Sequence, residues 1–239
     1  MIIHVVGIGM GPQHVTPEAS AALRASSYAV AAAKRDDDPL LAVRRAVCDS
    51  HGLELVAVPD PERDRDDPAD YDGVVRDWHA ARADAWAEVI ESRDGDPAFL
   101  VWGDPALYDS TIRVVDAVAD RLGATVEVVA GISAPQLLAA RHRIVLHDVG
   151  QPVHLTTARR LRADLEAGQT NVVVMLTSGV DLDGLDDWSI WWGANLGAAG
   201  EELVAGRVGD VTDEIVAARE RARAEAGWVM DLYLLRAPA

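Results

Sequence analysis

Apolar positions fall into short runs separated by longer stretches of helical spacing, the pattern of alternating strands and helices. Residues 2–6, 28–33, 53–58 and 98–102 are apolar almost throughout, as parallel strands buried on both faces would be. Between them the spacing predicts helices over 17–26, 39–51 and 71–92. In the last of these, Val74, Trp78, Ala81, Ala85 and Val89 recur at helical intervals. Thr16 is placed to cap the first helix, with Pro17 at its first position and Glu18 suited to its dipole. A helix over 110–122, a strand over 125–130 and a short helix over 133–141 follow. Beyond residue 145 strands dominate, at 152–156, 172–176, 188–192 and 202–205. A helix over 212–225 and an apolar strand over 228–235 close the chain. The first half predicts an open, largely parallel α/β sheet. The pattern changes near residues 112–124, which divides the chain into domains 1–115 and 116–239.

Composition narrows the class. With 239 residues and 49% hydrophobic content the chain can build real cores, which excludes disorder as its main description. Its apolar runs are too short to span a bilayer. A net charge of -17 argues against non-specific nucleic-acid binding. Much of the acid lies between residues 60 and 72: Asp60, Glu62, Asp64, Asp66, Asp67, Asp70 and Asp72, opposed by Arg63 and Arg65. This reads as a solvated loop in preference to a metal site, and no metal is expected. The single cysteine, Cys48, allows no internal disulfide and reads as a small half-buried residue, not a nucleophile. The N-terminal residues lack the marks of a signal peptide and read as a first strand, so a cytoplasmic protein is expected.

Candidate chemistry sits where strands end. In open α/β sheets ligands bind beyond the carboxyl ends of strands. There the strand ending at Trp102 runs into Gly103-Asp104-Pro105-Ala106-Leu107-Tyr108-Asp109-Ser110-Thr111. The glycine permits close backbone approach, the aspartate supplies a carboxylate and the proline stiffens the turn. The first strand opens into Gly7-Ile8-Gly9-Met10-Gly11, but Pro12-Gln13-His14-Val15-Thr16 intervenes before the helix. A dinucleotide fingerprint opens directly into its helix and has an acid after the second strand. Here Lys34-Arg35 stand there instead, so a nicotinamide site fits poorly. Ser133, after Gly131-Ile132, reads as a helix cap that could also face a ligand. Arg141, Arg143, Arg159, Arg160 and Arg162, with His142, His147 and His154, form a local basic cluster. It is either a solvated helix face or a cleft for a polycarboxylate.

Taken in order, the opening Val6-Gly7-Ile8-Gly9-Met10-Gly11…Thr16, the Gly103-Asp104-Pro105…Tyr108 loop, the Gly131-Ile132-Ser133 turn and the 172–175 strand resemble the tetrapyrrole (precorrin) methylase family. The likeness runs over nearly the whole chain. Segments 101–111, 139–144 and 230–236 are most similar to the members that methylate carbon 1 of precorrin-5 in aerobic cobalamin synthesis, releasing acetate. The resemblance implies an α/β protein of two domains, each a mixed sheet flanked by helices, with the active-site cleft between them, in a homodimer. It implies S-adenosylmethionine as cofactor and S-adenosylhomocysteine as product. Carried onto matching positions, Trp102, Gly103, Asp104, Leu107, Ser133, Ala134, Met175 and Gly197 would contact the cofactor, with Val229 on the last strand. Met10 and Gly11 would face the tetrapyrrole, where Arg141 and Arg143 would meet its carboxylates. Asp104 would hold a polar end of the cofactor or manage a proton, and Tyr108 would donate to the substrate. His14, His142 and Asp104 are the candidate bases for acetyl release. The chain departs from the family at Gly11-Pro12-Gln13, which lacks an acid before the proline, and at Ala130, where proline is common. Rival readings are a methylase of the same fold acting on another tetrapyrrole or on diphthine, and a non-catalytic tetrapyrrole-binding protein.

Overall fold

A computed structural model describes residues 1–33, 39–62, 71–177 and 179–238. The chain forms two compact units, Met1–Ser133 and Ala134–Ala239.

In the first unit, strands β1 (Ile2–Gly7), β2 (Tyr28–Ala33), β3 (Leu55–Pro59), β4 (Pro97–Val101) and β5 (Thr125–Val129) form one sheet in the order β3-β2-β4-β1-β5. Every neighbouring pair is parallel. Helices α1 (Pro17–Ala25), α2 (Pro39–Ser50), α3 (Tyr71–Glu91) and α4 (Thr111–Leu122) supply the crossovers that parallel strands require. Successive strand residues point to opposite faces, and both faces are covered. Ile3, Val5, Val30, Phe99 and Val101 pack with Trp86 and Ile90 of α3 and Val114 and Val118 of α4. Val6, Ile8, Ala29, Ala98 and Leu100 pack with Leu23 of α1 and Val47 and Cys48 of α2. Thr16 caps α1 as expected, its hydroxyl accepting from the Ala19 amide at 3.1 Å.

Four expectations change here. Strand β5 pairs with β1 along its length, so the unit extends past residue 115 and ends at Ser133. Cys48 is fully buried, not half-buried, and burial pushes its thiol up to about 11. The fully buried apolar residues of α3 are Ala83, Trp86, Ala87 and Ile90, with Ala85 and Val89 of the expected stripe partly buried against the same core and Ala81 exposed. Asp60 is no solvated acid. Its side chain is 4% exposed and accepts from Arg82 Nε at 2.9 Å, and the Arg82 guanidinium lies 3.8 Å over the Trp78 ring. Lys34, Arg35, Arg63, Asp64, Arg65, Asp66, Asp67 and Asp70 lie outside the described residues, as does the side chain of Asp72.

The second unit contains α5 (Ala134–His142), β6 (His154–Thr157), α6 (Leu161–Glu166), β7 (Asn171–Met175), β8 (Ser189–Ala194), β9 (Glu202–Arg207), α7 (Val208–Ala226) and β10 (Asp231–Arg236). Its sheet runs β6-β7-β10-β8-β9, parallel only between β6 and β7. On one face Val172, Val174, Trp192, Tyr233 and Leu235 pack with Leu161 of α6 and Ile215 and Ala218 of α7. On the other, α5 packs against β8 and β10. Helix α6 was not expected, being too short to show a helical period. Helix α7 starts at Val208, before Thr212, whose hydroxyl bonds back to the Val208 carbonyl at 2.7 Å within the helix. Strand β10 starts only at Asp231, so Val229 precedes it and packs against the core.

The Asp164 carboxylate of α6 accepts from the Thr156 hydroxyl and lies 3.1 Å from His154 Nε2 and 3.3 Å from Arg160. The Thr156 hydrogen bond, then His154 and Arg160, hold its carboxyl below the ordinary value against the cost of burial. A carboxyl depressed in the folded state stabilises above its unfolded pKa, and that contribution is lost as pH falls through the folded value. Asp164→Asn is therefore expected to lower the denaturant midpoint at pH 7, with the gap to the unsubstituted protein narrowing as pH falls below the ordinary aspartate range. A gap that stays constant with pH would contradict this.

Candidate cofactor and substrate site

Three loops leave the carboxyl ends of β1, β4 and β5 and cross almost backbone on backbone. Ile8 N donates to Val101 O at 2.9 Å, extending the pairing of β1 with β4. Gly9 and Gly103 then form a two-way antiparallel bridge. Gly103 N donates to Gly9 O at 2.8 Å, and Gly9 N donates to Gly103 O at 3.1 Å. At Gly131 a Cβ would lie 2.1 Å from Gly103 O, and at Gly7 it would lie 2.6 Å from Gly131 N. Neither position has room for a side chain. Asp104 completes the crossing. Its Oδ1 accepts from Ala106 N at 2.8 Å, and its Oδ2 accepts from Gly131 N at 2.8 Å. A charged acceptor shared by two amides is a strong, directional link, and this one joins the β4 loop to the β5 loop.

The expected residues of the first unit gather round this crossing. Met10 is buried, and its Sδ lies 3.6 Å from where a Gly103 Cβ would be. Ile132 O and Ser133 Cα lie 4.0 Å from the same point, and Ser133 is buried. A Cβ at Gly103, whose φ is +73°, would meet Met10 and the 132–133 turn at ordinary contact distance, so its backbone lies directly against both. Gly11 is buried beside Gln13, and His14 packs against Gly9. The indole Nε1 of Trp102 is buried with no hydrogen-bond partner among the described residues. Leu107 turns back by an amide bond to Asp104 O at 3.2 Å. Tyr108 follows in the left-handed region at φ +50° and is 45% exposed.

In the second unit, strand register sets Met175, Ala194 and Asp231 at one end of the sheet. Gly197 and Val229 lie on the loops beyond, and Asn195 ties these loops together. Its side-chain amide donates to Trp228 O at 3.1 Å, its Oδ1 accepts from Met230 N at 2.9 Å, and its own amide donates to Met230 O at 2.9 Å. Asn195 is left-handed at φ +49°, a conformation asparagine tolerates. Glu201 accepts from Gly197 N at 2.5 Å and from Arg141 Nε at 2.7 Å. Sequence reasoning missed both residues. An asparagine after an apolar strand is a turn signal that could have found Asn195, while nothing marks Glu201.

The basic cluster is largely neutralised. Arg141 pairs with Glu201, Arg160 with Asp164, and Arg162 with Asp181 at 2.6 Å. Arg143 is exposed and has no ion-pair partner among the described residues. His142 Nε2 donates to Trp192 O at 2.9 Å, which fixes its ring. Among the described residues no cluster of acidic, histidine or cysteine side chains could hold a metal ion. No described helix is long and apolar enough to cross a membrane.

The family model for tetrapyrrole (corrin/porphyrin) methylases matches residues 3–212. The chain belongs to this family. A precorrin-6A synthase (deacetylating) of Sinorhizobium sp. is 40% identical over 250 residues, covering 98% of this chain and 94% of the relative. A crystal structure of a cobalamin-synthesis-related protein (CobF) from Corynebacterium diphtheriae is 37% identical, covers 99% of this chain and 98% of its own, and superposes with a TM-score of 0.83. A cobalt precorrin-4 methyltransferase, CbiF, shares the fold at 18% identity and a TM-score of 0.69, over 98% of this chain and 94% of its own. These structures match the two helix-flanked sheets described above.

The crossing carries its own test. Gly131→Ala forces a methyl group onto the Gly103 carbonyl and is expected to cost about 1–3 kcal/mol of stability by overpacking. Denaturant unfolding measures it, and an unchanged midpoint would contradict the close approach.

Proposed function

We propose that this chain is an S-adenosylmethionine-dependent C-methyltransferase of aerobic cobalamin synthesis. It methylates carbon 1 of precorrin-5 and releases the acetyl group as acetate, giving precorrin-6A. The observation that carries this reading is the full-length likeness to a precorrin-6A synthase, 40% identical over 98% of the chain. The loop crossing supports it physically. At Gly103 the backbone carries no side chain beside Met10 and the 132–133 turn, which leaves it accessible to close approach by a ligand. The buried, unpartnered Trp102 Nε1 offers a donor to a polar group of such a ligand. Both features fit S-adenosylmethionine.

Trp102, Gly103, Leu107 and Ser133 would hold that cofactor, together with Ala134, Met175 and Gly197. Val229, packed against the core, is the weakest of the set. When bound, the cofactor supplies the methyl group and its own leaving group, so the protein's task is alignment and exclusion of water. Asp104 serves by fixing the two loops. Both of its carboxylate oxygens are engaged by amides, so no proton step is assigned to it. Met10, Gly11 and Tyr108 would face the tetrapyrrole, with Arg143 meeting one of its carboxylates. Arg141, held by Glu201, is not retained as a substrate contact. A cytoplasmic homodimer belongs to the same reading and rests on the family resemblance.

Purified protein incubated with precorrin-5 and methyl-labelled S-adenosylmethionine tests the reading. The expected result is a singly methylated product with one equivalent of acetate. Methylation without acetate would point to another methylase of the fold. Binding without turnover would point to a non-catalytic tetrapyrrole carrier.

A further inference from the structure

Asp231 opens β10 inside a sequence motif that the site above does not use. Its side chain has 0% exposure, and it meets three donors. Thr177 Oγ1 lies 2.5 Å from Oδ1, while Trp192 Nε1 at 3.1 Å and Arg219 Nε at 3.2 Å reach Oδ2. A buried ion pair is a poor device for stability alone, since well-packed apolar groups of similar volume often do as well. What a carboxylate adds is direction, and Oδ1 is directed at Thr177. That threonine ends the turn leaving β7, two residues after Met175. Between them Leu176 is 62% exposed and left-handed at φ +55°. A leucine persists in that conformation only where its surroundings fix it, and such strain gathers at ligand sites. The Thr177 hydroxyl links this turn to the start of β10, lying 2.5 Å from the Asp231 carboxylate and 3.2 Å from its backbone carbonyl.

We infer that Asp231 is a positioning residue that sets cofactor affinity by holding the Met175–Thr177 turn through the Thr177 hydroxyl. The inference rests on the reading above that Met175 contacts S-adenosylmethionine. Arg219 and Trp192 aim the carboxylate from the core side, and Thr177 transmits its position to the turn.

The test measures S-adenosylhomocysteine affinity by calorimetry, with the cofactor KM, kcat and melting temperature of the same preparations. Thr177→Val is near-isosteric at a partly exposed position. It is expected to weaken binding and raise the cofactor KM roughly tenfold, the scale of a lost hydrogen bond to a charged group, while kcat at saturating cofactor is retained. Thr177→Ala, which adds no bulk, should show the same rise. Thr177→Ser, which keeps the hydroxyl, should bind as the unsubstituted protein does. Met175→Ala checks the underlying reading. If Met175→Ala weakens binding and the Thr177 variants do not, the positioning role is overturned and the site stands. If none of these variants changes affinity, the placement of the cofactor at Met175 falls, and the inference with it. A lowered melting temperature with unchanged affinity also overturns the positioning role, because it leaves Asp231 a purely structural part.

Discussion

The close crossing of the β1, β4 and β5 loops is the constraint on which the first unit's site depends. Parallel pairing of β1 with both β4 and β5 brings three chain ends to one place. Once there, only residues without a Cβ can occupy Gly7 and Gly131, because backbone atoms of the neighbouring loops fill the space. The Asp104 carboxylate then joins two of the loops through amides that the sheet does not use. Local strain is visible beside the site at Tyr108, a non-glycine residue with positive φ. The fold tolerates this because the crossing fixes the backbone on either side.

The second unit reaches the same end by polar side chains in place of glycines. Asn195 ties two loops through three hydrogen bonds, and Asp231 holds a third segment from inside the core. Glu201 adds a link between Gly197 and Arg141. Strand register brings the ends of β7, β8 and β10 to one side of this sheet, but among the described residues no backbone crossing like the first unit's joins their loops there. Directional hydrogen bonds supply what strand geometry supplies in the first unit.

Much of this was legible in the sequence, for reasons tied to particular residues. Apolar runs announced the buried parallel strands, and Thr16-Pro17-Glu18 announced the start of α1. The Gly103-Asp104-Pro105 and Gly131-Ile132-Ser133 segments stood out because glycine after an apolar strand marks close approach. What stayed hidden was partnership across long sequence separation. No local pattern says that Arg141 will meet Glu201, that Asp60 will be buried against Arg82, or that β5 returns to β1. Helix α6 escaped because six residues are too few to show a period. The helical stripe of α3 held only in part: Ala85 and Val89 pack against the core, but Ala81 is exposed and Trp78 lies under a guanidinium.

Hydrogen–deuterium exchange with and without S-adenosylhomocysteine tests the central claim most directly. Ligand is expected to slow exchange in peptides covering residues 101–108 and 131–134, the loops that meet at Gly103. Tight ligand binding with no change in those two segments would contradict the account.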